Sequence, residues 1–191
     1  MVEQNSTEPI RYEIFNDLEG YDWAKQAIVY LAEKRIVTGK TEEKFSPADF
    51  VTREEFAAML VRAIANNAEA KDISFTDVTN GAWYDEYLKK AVSAGIIKGY
   101  DDGSFGVGDY ITRQDMVVML NRAAKYSGIV FDSQSMEKFA DDSEISDYAK
   151  EAVYVFKEAG IVNGVSEDKF SPSTNASRAQ AAKVIFELLN V

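Results

Sequence analysis

The chain has 191 residues, 46% of them hydrophobic, enough for a substantial core in one domain or a few small ones. It contains no cysteine and no histidine, which excludes disulfides, zinc–thiolate and iron–sulfur sites, cysteine nucleophiles, Ser-His-Asp triads and histidine acid–base chemistry. A net charge of -11 sets the chain against nucleic acid and anionic membrane surfaces, and its apolar runs fall far short of the ~20 residues that span a bilayer.

The first residues lack the charged–apolar–small pattern of a secretory leader, so the sequence reads either as cytosolic or as a mature or excised segment of a secreted protein. Residues 1–14 read as a lead-in. Three copies of one unit then follow, over 15–64, 75–124 and 139–189. Phe15-Asn16-Asp17, Phe75-Thr76-Asp77 and Phe139-Ala140-Asp141 open them. From the opening Phe, Gly39 and Gly99 both lie 24 residues on, and Arg53 and Arg113 both lie 38 on. The third unit keeps this register with one extra residue, which puts Gly164 at 25 and Arg178 at 39.

Each unit reads as helix, loop, helix. Trp23, Ala27 and Leu31 recur at four-residue spacing, as do Trp83, Tyr87 and Ala91, and Tyr148, Ala152 and Phe156. Gly95 and Gly160 suit the ends of these first helices. A loop from Gly39, Gly99 or Gly164 leads to the second helix, which opens at Thr52-Arg53-Glu54-Glu55, Thr112-Arg113-Gln114-Asp115 or Ser177-Arg178-Ala179-Gln180. Thr52 with Glu55 fits a capping box, and the other two starts are its equivalents. Counted from each arginine, apolar residues at 3, 6, 7, 10 and 11 form one helix face, including Leu60, Leu120 and Ile185. One unit of this size cannot bury such a face alone. The expectation is therefore an all-α fold in which the three second helices form a central bundle, with first helices and loops projecting outward and grooves between units. Residues 65–74 and 125–138 serve as connectors.

Arg53, Arg113 and Arg178 occupy N1, where the helix dipole disfavours a cation by ~0.3–1 kcal/mol. Free backbone N–H groups concentrate at a helix start, so with an arginine fork they would make a carboxylate or phosphate site. The competing reading pairs each arginine with an aspartate of its own fold, Asp17, Asp77 or Asp141. Spacing leaves both open. N1 is read as a surface position, so the fold is expected to survive loss of the arginine. Trp23 and Trp83 begin a helix stripe and are expected in the core, although an indole at a groove edge can stack on a sugar. Asp101-Asp102-Gly103-Ser104 reads as a tight turn; it lacks the alternating ligands and closing Glu of a calcium loop, and no metal site is expected. No glycine-rich phosphate loop is present. A carboxylate pair for glycoside hydrolysis is available by residue type, but threefold repetition argues against it because an acid and a base need different environments.

The F-x-D openings, the tryptophan helix, the loop Gly99-Tyr100-Asp101-Asp102-Gly103-Ser104-Phe105 and the helix start Ile111-Thr112-Arg113-Gln114-Asp115 resemble those of S-layer homology domains. The resemblance covers 15–189, nearly the whole chain. It implies a pseudo-threefold assembly around a central three-helix bundle, and an extracellular anchoring module without enzyme activity or cofactor. The implied partner is secondary cell-wall polysaccharide, with pyruvate-ketal N-acetylmannosamine as the recognised group, and neighbouring S-layer subunits are a further partner. The resemblance also implies that Arg53, Arg113 and Arg178 contact the ketal carboxylate. Asp17, Asp77, Trp23, Trp83, Gly39 and Gly99 would line or shape the grooves. The third unit departs from the pattern, with Tyr148 for Trp, Ser177 for Thr and Gln180 for an acid, and the first lacks the Tyr-x-Asp-Gly loop. The alternatives are a protein–protein module for surface-layer assembly and a carboxylate-based carbohydrate-active enzyme.

Overall fold

The computed structural model describes residues 14–131, 137–166 and 168–191, so the lead-in lies outside the described residues except for Ile14. Its helices begin where capping chemistry places them. The second helices are α2 (Arg53–Leu60), α4 (Arg113–Tyr126) and α6 (Arg178–Leu189), and α2 runs on through a π turn, Val61–Ala65. Thr52, Thr112 and Ser177 are extended N-caps whose hydroxyls accept the backbone N–H of N3. Glu55 and Gln180 reach back to close full capping boxes. Asp115, one methylene shorter, leaves the box of α4 half made and turns its carboxylate elsewhere.

The first helices are α1 (Asp22–Glu33), α3 (Asp85–Ser93) and α5 (Asp147–Glu158). Each ends through a residue in the left-handed region, Arg35 (φ 58°), Gly95 (70°) or Gly160 (71°). The N–H of the following isoleucine, Ile36, Ile96 or Ile161, then donates to Leu31, Ala91 or Phe156 in the helix, and that isoleucine is buried. Among the described residues there is no strand, only isolated bridges.

Of the expected central packing, α4 lies against both α2 and α6, and Leu60, Leu120 and Ile185 are fully buried. The expected outward projection of the first helices gives way to a crossed arrangement. Here α3 packs on α2, α5 on α4, and α1 on α6, so each first helix covers the second helix of the unit before it, and the chain's first helix closes on its last. The reason is visible at the bundle's head. Val51 N–H donates to Ala176 O at 3.1 Å, Ala176 N–H to Ile111 O at 2.9 Å, and Ile111 N–H to Val51 O at 3.0 Å. These three residues precede the N-caps, so the ring aligns all three helix starts, and each unit's loop falls beside its neighbour's helix.

Candidate functional site

The opening aspartates explain how the loops hold their shape. Asp17 accepts the N–H groups of Phe45 and Ser46. Asp77 accepts those of Phe105, Gly106 and Val107, and Asp141 those of Phe170 and Ser171. Burial pushes the Asp77 carboxyl up, but the three N–H donors outweigh it and hold its pKa below the usual range. Gly39 and Gly99 sit where a Cβ would lie 2.3–2.6 Å from loop carbonyls and from the opening Phe15 or Phe75 ring, so no side chain fits there.

Each arginine grips the next unit's loop from the other side. Arg53 Nε donates to Phe105 O at 3.0 Å, Arg113 Nε to Phe170 O at 2.8 Å, and Arg178 Nε to Phe45 O at 2.9 Å. Every loop Phe peptide is thus held at its N–H by its own unit's aspartate and at its C=O by the preceding unit's arginine, with the guanidinium 4.5–5.1 Å from the Phe ring centre. Three expectations are corrected by this geometry. The arginines are 4, 5 and 4% exposed, so N1 is not a surface position. They do not pair with Asp17, Asp77 or Asp141, whose oxygens serve the loops; Arg53 pairs instead with Asp115, at 3.2 Å. The helix-start N–H groups of α4 and α6 are also already taken: Arg113 N–H donates to Thr174 O and Gln114 N–H to Pro172 O, while Arg178 N–H donates to Asp49 O and Ala179 N–H to Pro47 O. An anion in these grooves would therefore meet side chains.

The arginines leave three grooves, each between one second helix, the next unit's loop and that unit's own second helix. The Arg113 groove is a cavity of about 440 Å³ lined by Trp23, Arg113, Asn163, Gly164, Gln180 and Lys183 over a floor including Met116 and Val184. Arg113 donates from Nη2 to Asn163 O at 3.1 Å. Its guanidinium pKa is lowered to about 10, because burial opposes the charge while Asp141 supports it. In the Arg178 groove Arg178 donates to Thr38 O at 2.6 Å, and Glu55 forms an ion pair with Lys40 at 2.7 Å. Burial lowers the pKa of Arg178, against support from Glu55, Asp49 and Asp17. In the Arg53 groove Asp115 takes Arg53 on one oxygen and the Tyr148 hydroxyl on the other, at 2.8 Å. The Tyr148 pKa is pushed up to about 12, by partial burial and then by Asp115.

Trp23 and Trp83 are 49 and 55% exposed, which corrects their expected core placement. They stand at the starts of their helices, where the stripe meets solvent; Trp83 precedes α3, and Trp23 borders the Arg113 cavity. The structure thus brings Arg113 and Trp23 to one cavity, while Asp17, Asp77, Gly39 and Gly99 brace the loops. Lys183 escaped the sequence reading, although the repeat register carries its signal: the equivalent positions are Ala58 and Val118. The Asp102 side chain accepts the Ser104 N–H and hydroxyl, the turn expected at 101–104. Among the described residues there is no cluster of metal-ligating side chains and no helix long and apolar enough to cross a membrane.

Comparison with known proteins agrees with this architecture. The S-layer homology domain model matches residues 14–57, 74–117 and 138–182. An exoglucanase of Acetivibrio thermocellus is 38% identical over 92% of the chain and 16% of its own length. An amylopullulanase of Thermoanaerobacterium thermosulfurigenes is 38% identical over 92% of the chain and 9% of its own length. An S-layer protein of Bacillus thuringiensis subsp. finitimus is 34% identical over 90% of the chain and 21% of its own length. The chain therefore spans about a fifth or less of these relatives. The three matches fall on the three units, and the chain belongs to the S-layer homology domain family, as a cell-wall-associated module of the bacterial cell surface.

Proposed function

We propose that the chain is a non-catalytic module that anchors a larger protein by binding secondary cell-wall polysaccharide, with the carboxylate of a pyruvate-ketal N-acetylmannosamine as the recognised group. The observation that carries this reading is a buried arginine and a half-exposed tryptophan facing one cavity of about 440 Å³. A guanidinium suits a carboxylate, and an indole face suits a sugar ring. The relatives support the non-catalytic role. Proteins named for two different activities and one named for a surface layer share the same segment, so its contribution is common to all three.

The test is co-sedimentation of the purified chain with isolated cell walls, before and after removal of pyruvyl groups. Binding that requires the pyruvyl groups supports the reading. Binding that is indifferent to them removes the ketal from it. Self-association without wall binding favours the surface-layer assembly alternative, and release of sugar fragments would show an enzyme.

A further inference from the structure

The three grooves share an arginine but differ in what faces it at N3 of the adjoining second helix: Asp115 for Arg53, Gln180 for Arg113 and Glu55 for Arg178. Resting on the reading above, we propose that the chain has a single working anion site, the Arg113 groove, and that the N3 residue selects it by charge. The ligand class is a saccharide carrying one carboxylate.

The charges around each groove carry the argument. Asp115 is ion-paired to Arg53 and bonded by Tyr148, so that guanidinium already has its carboxylate. Glu55 lies close enough to Arg178 for the two charges to stabilise each other, and it also engages Lys40. The neighbouring hollow, of about 510 Å³, is lined by Lys40 together with the carboxylates Asp49 and Glu55. An incoming carboxylate there must displace or oppose an acid, and such like-charge juxtaposition at an interface is costly. Among the described residues the Arg113 cavity has no acid in its lining and two cations, Arg113 and Lys183, with Glu187 pairing Lys183 from one turn further along α6.

Two donors complete the site. Arg113 uses Nε and Nη2 on Phe170 and Asn163, which leaves Nη1 without a protein partner among the described residues. Gln180 Oε1 accepts the Ser177 N–H in the capping box, and this fixes the amide orientation and leaves its Nε2 donor without a protein partner among the described residues. Where Glu55 presents acceptors, Gln180 presents a donor. Trp23 supplies an apolar face beside them.

Glu55 and Gln180 both close capping boxes, so exchanging the two residue types keeps each helix start intact. The experiment is calorimetric titration of the methyl glycoside of pyruvate-ketal N-acetylmannosamine into the chain and into Gln180→Glu and Glu55→Gln, with the saccharide lacking the ketal as control and thermal unfolding in parallel. The parent chain binds one saccharide. Gln180→Glu weakens it by about tenfold or more with its unfolding midpoint little changed. Glu55→Gln frees Lys40 beside Arg178 and raises the stoichiometry to two. A parent stoichiometry of three, unchanged affinity in Gln180→Glu, or a single site in Glu55→Gln overturns the inference and leaves the proposed function standing. No difference between ketal and control saccharides in the parent contradicts both.

Discussion

A buried guanidinium is tolerated only when hydrogen bonds replace its water, and Arg178 finds them on Phe45 O and Thr38 O, 133 and 140 positions away in the sequence. Its removal leaves both carbonyls short of a donor and loosens the loop of unit 1 from α6. Arg178→Ala should cost about 2–4 kcal/mol in denaturant unfolding, with lysine restoring only part, because a point charge cannot serve two carbonyls in a fixed fork. A midpoint equal to the parent's would show that the grip contributes nothing. On the other side of the same kind of loop, Asp77 binds three N–H groups, and its folded pKa lies below the unfolded value. The stabilisation from this difference is full above about pH 4 and is lost as pH falls through the folded pKa. Unfolding measured from pH 6 to pH 2 should show a steep acid loss that Asp77→Asn reduces; an identical slope in the variant would assign the acid loss elsewhere. The arginines were legible in the sequence as residues out of place at N1, but their partners were not. Apart from Asp115, which pairs with Arg53, those partners are backbone carbonyls, which every residue carries, so no side-chain pattern marks them.

At the scale of the helix, sequence determines more than at the scale of the contact. Caps at Thr52, Thr112 and Ser177 and the apolar faces behind them fixed α2, α4 and α6 to their first residues, because both signals are local. Leu60 and Leu120 lie fully buried, so Leu60→Ala or Leu120→Ala should cost ~2–5 kcal/mol in chemical denaturation. A loss below about 1 kcal/mol would mean that the bundle collapses around the missing atoms. The tryptophans were misplaced for an equally physical reason. Four-residue spacing identifies a helix face, but it does not say where along the helix the covering partner stops, and Trp23 and Trp83 lie beyond that edge.

For the whole molecule, repeats visible in sequence are not the units of packing. Because α3 packs on α2, α5 on α4 and α1 on α6, a single repeat excised at its sequence boundaries carries a first helix and a second helix that belong to different neighbours. A fragment of residues 75–124 should show little cooperative helix by circular dichroism, and a fragment with a sharp thermal transition would refute this packing. The crossing also explains why the sequence could name the arginines and the tryptophans without assigning them to grooves: Arg113 belongs to unit 2, Gln180 to unit 3 and Trp23 to unit 1, and only closure of the chain brings them to one cavity. The central claim is that this cavity receives the anionic sugar. The most direct measurement follows the two indole N–H signals by nitrogen–proton NMR while pyruvylated wall polysaccharide is titrated into the labelled chain. The account predicts that the Trp23 signal shifts in a saturable way while that of Trp83 stays in place. Movement of Trp83 alone, or no movement of either as the polysaccharide binds, would contradict it.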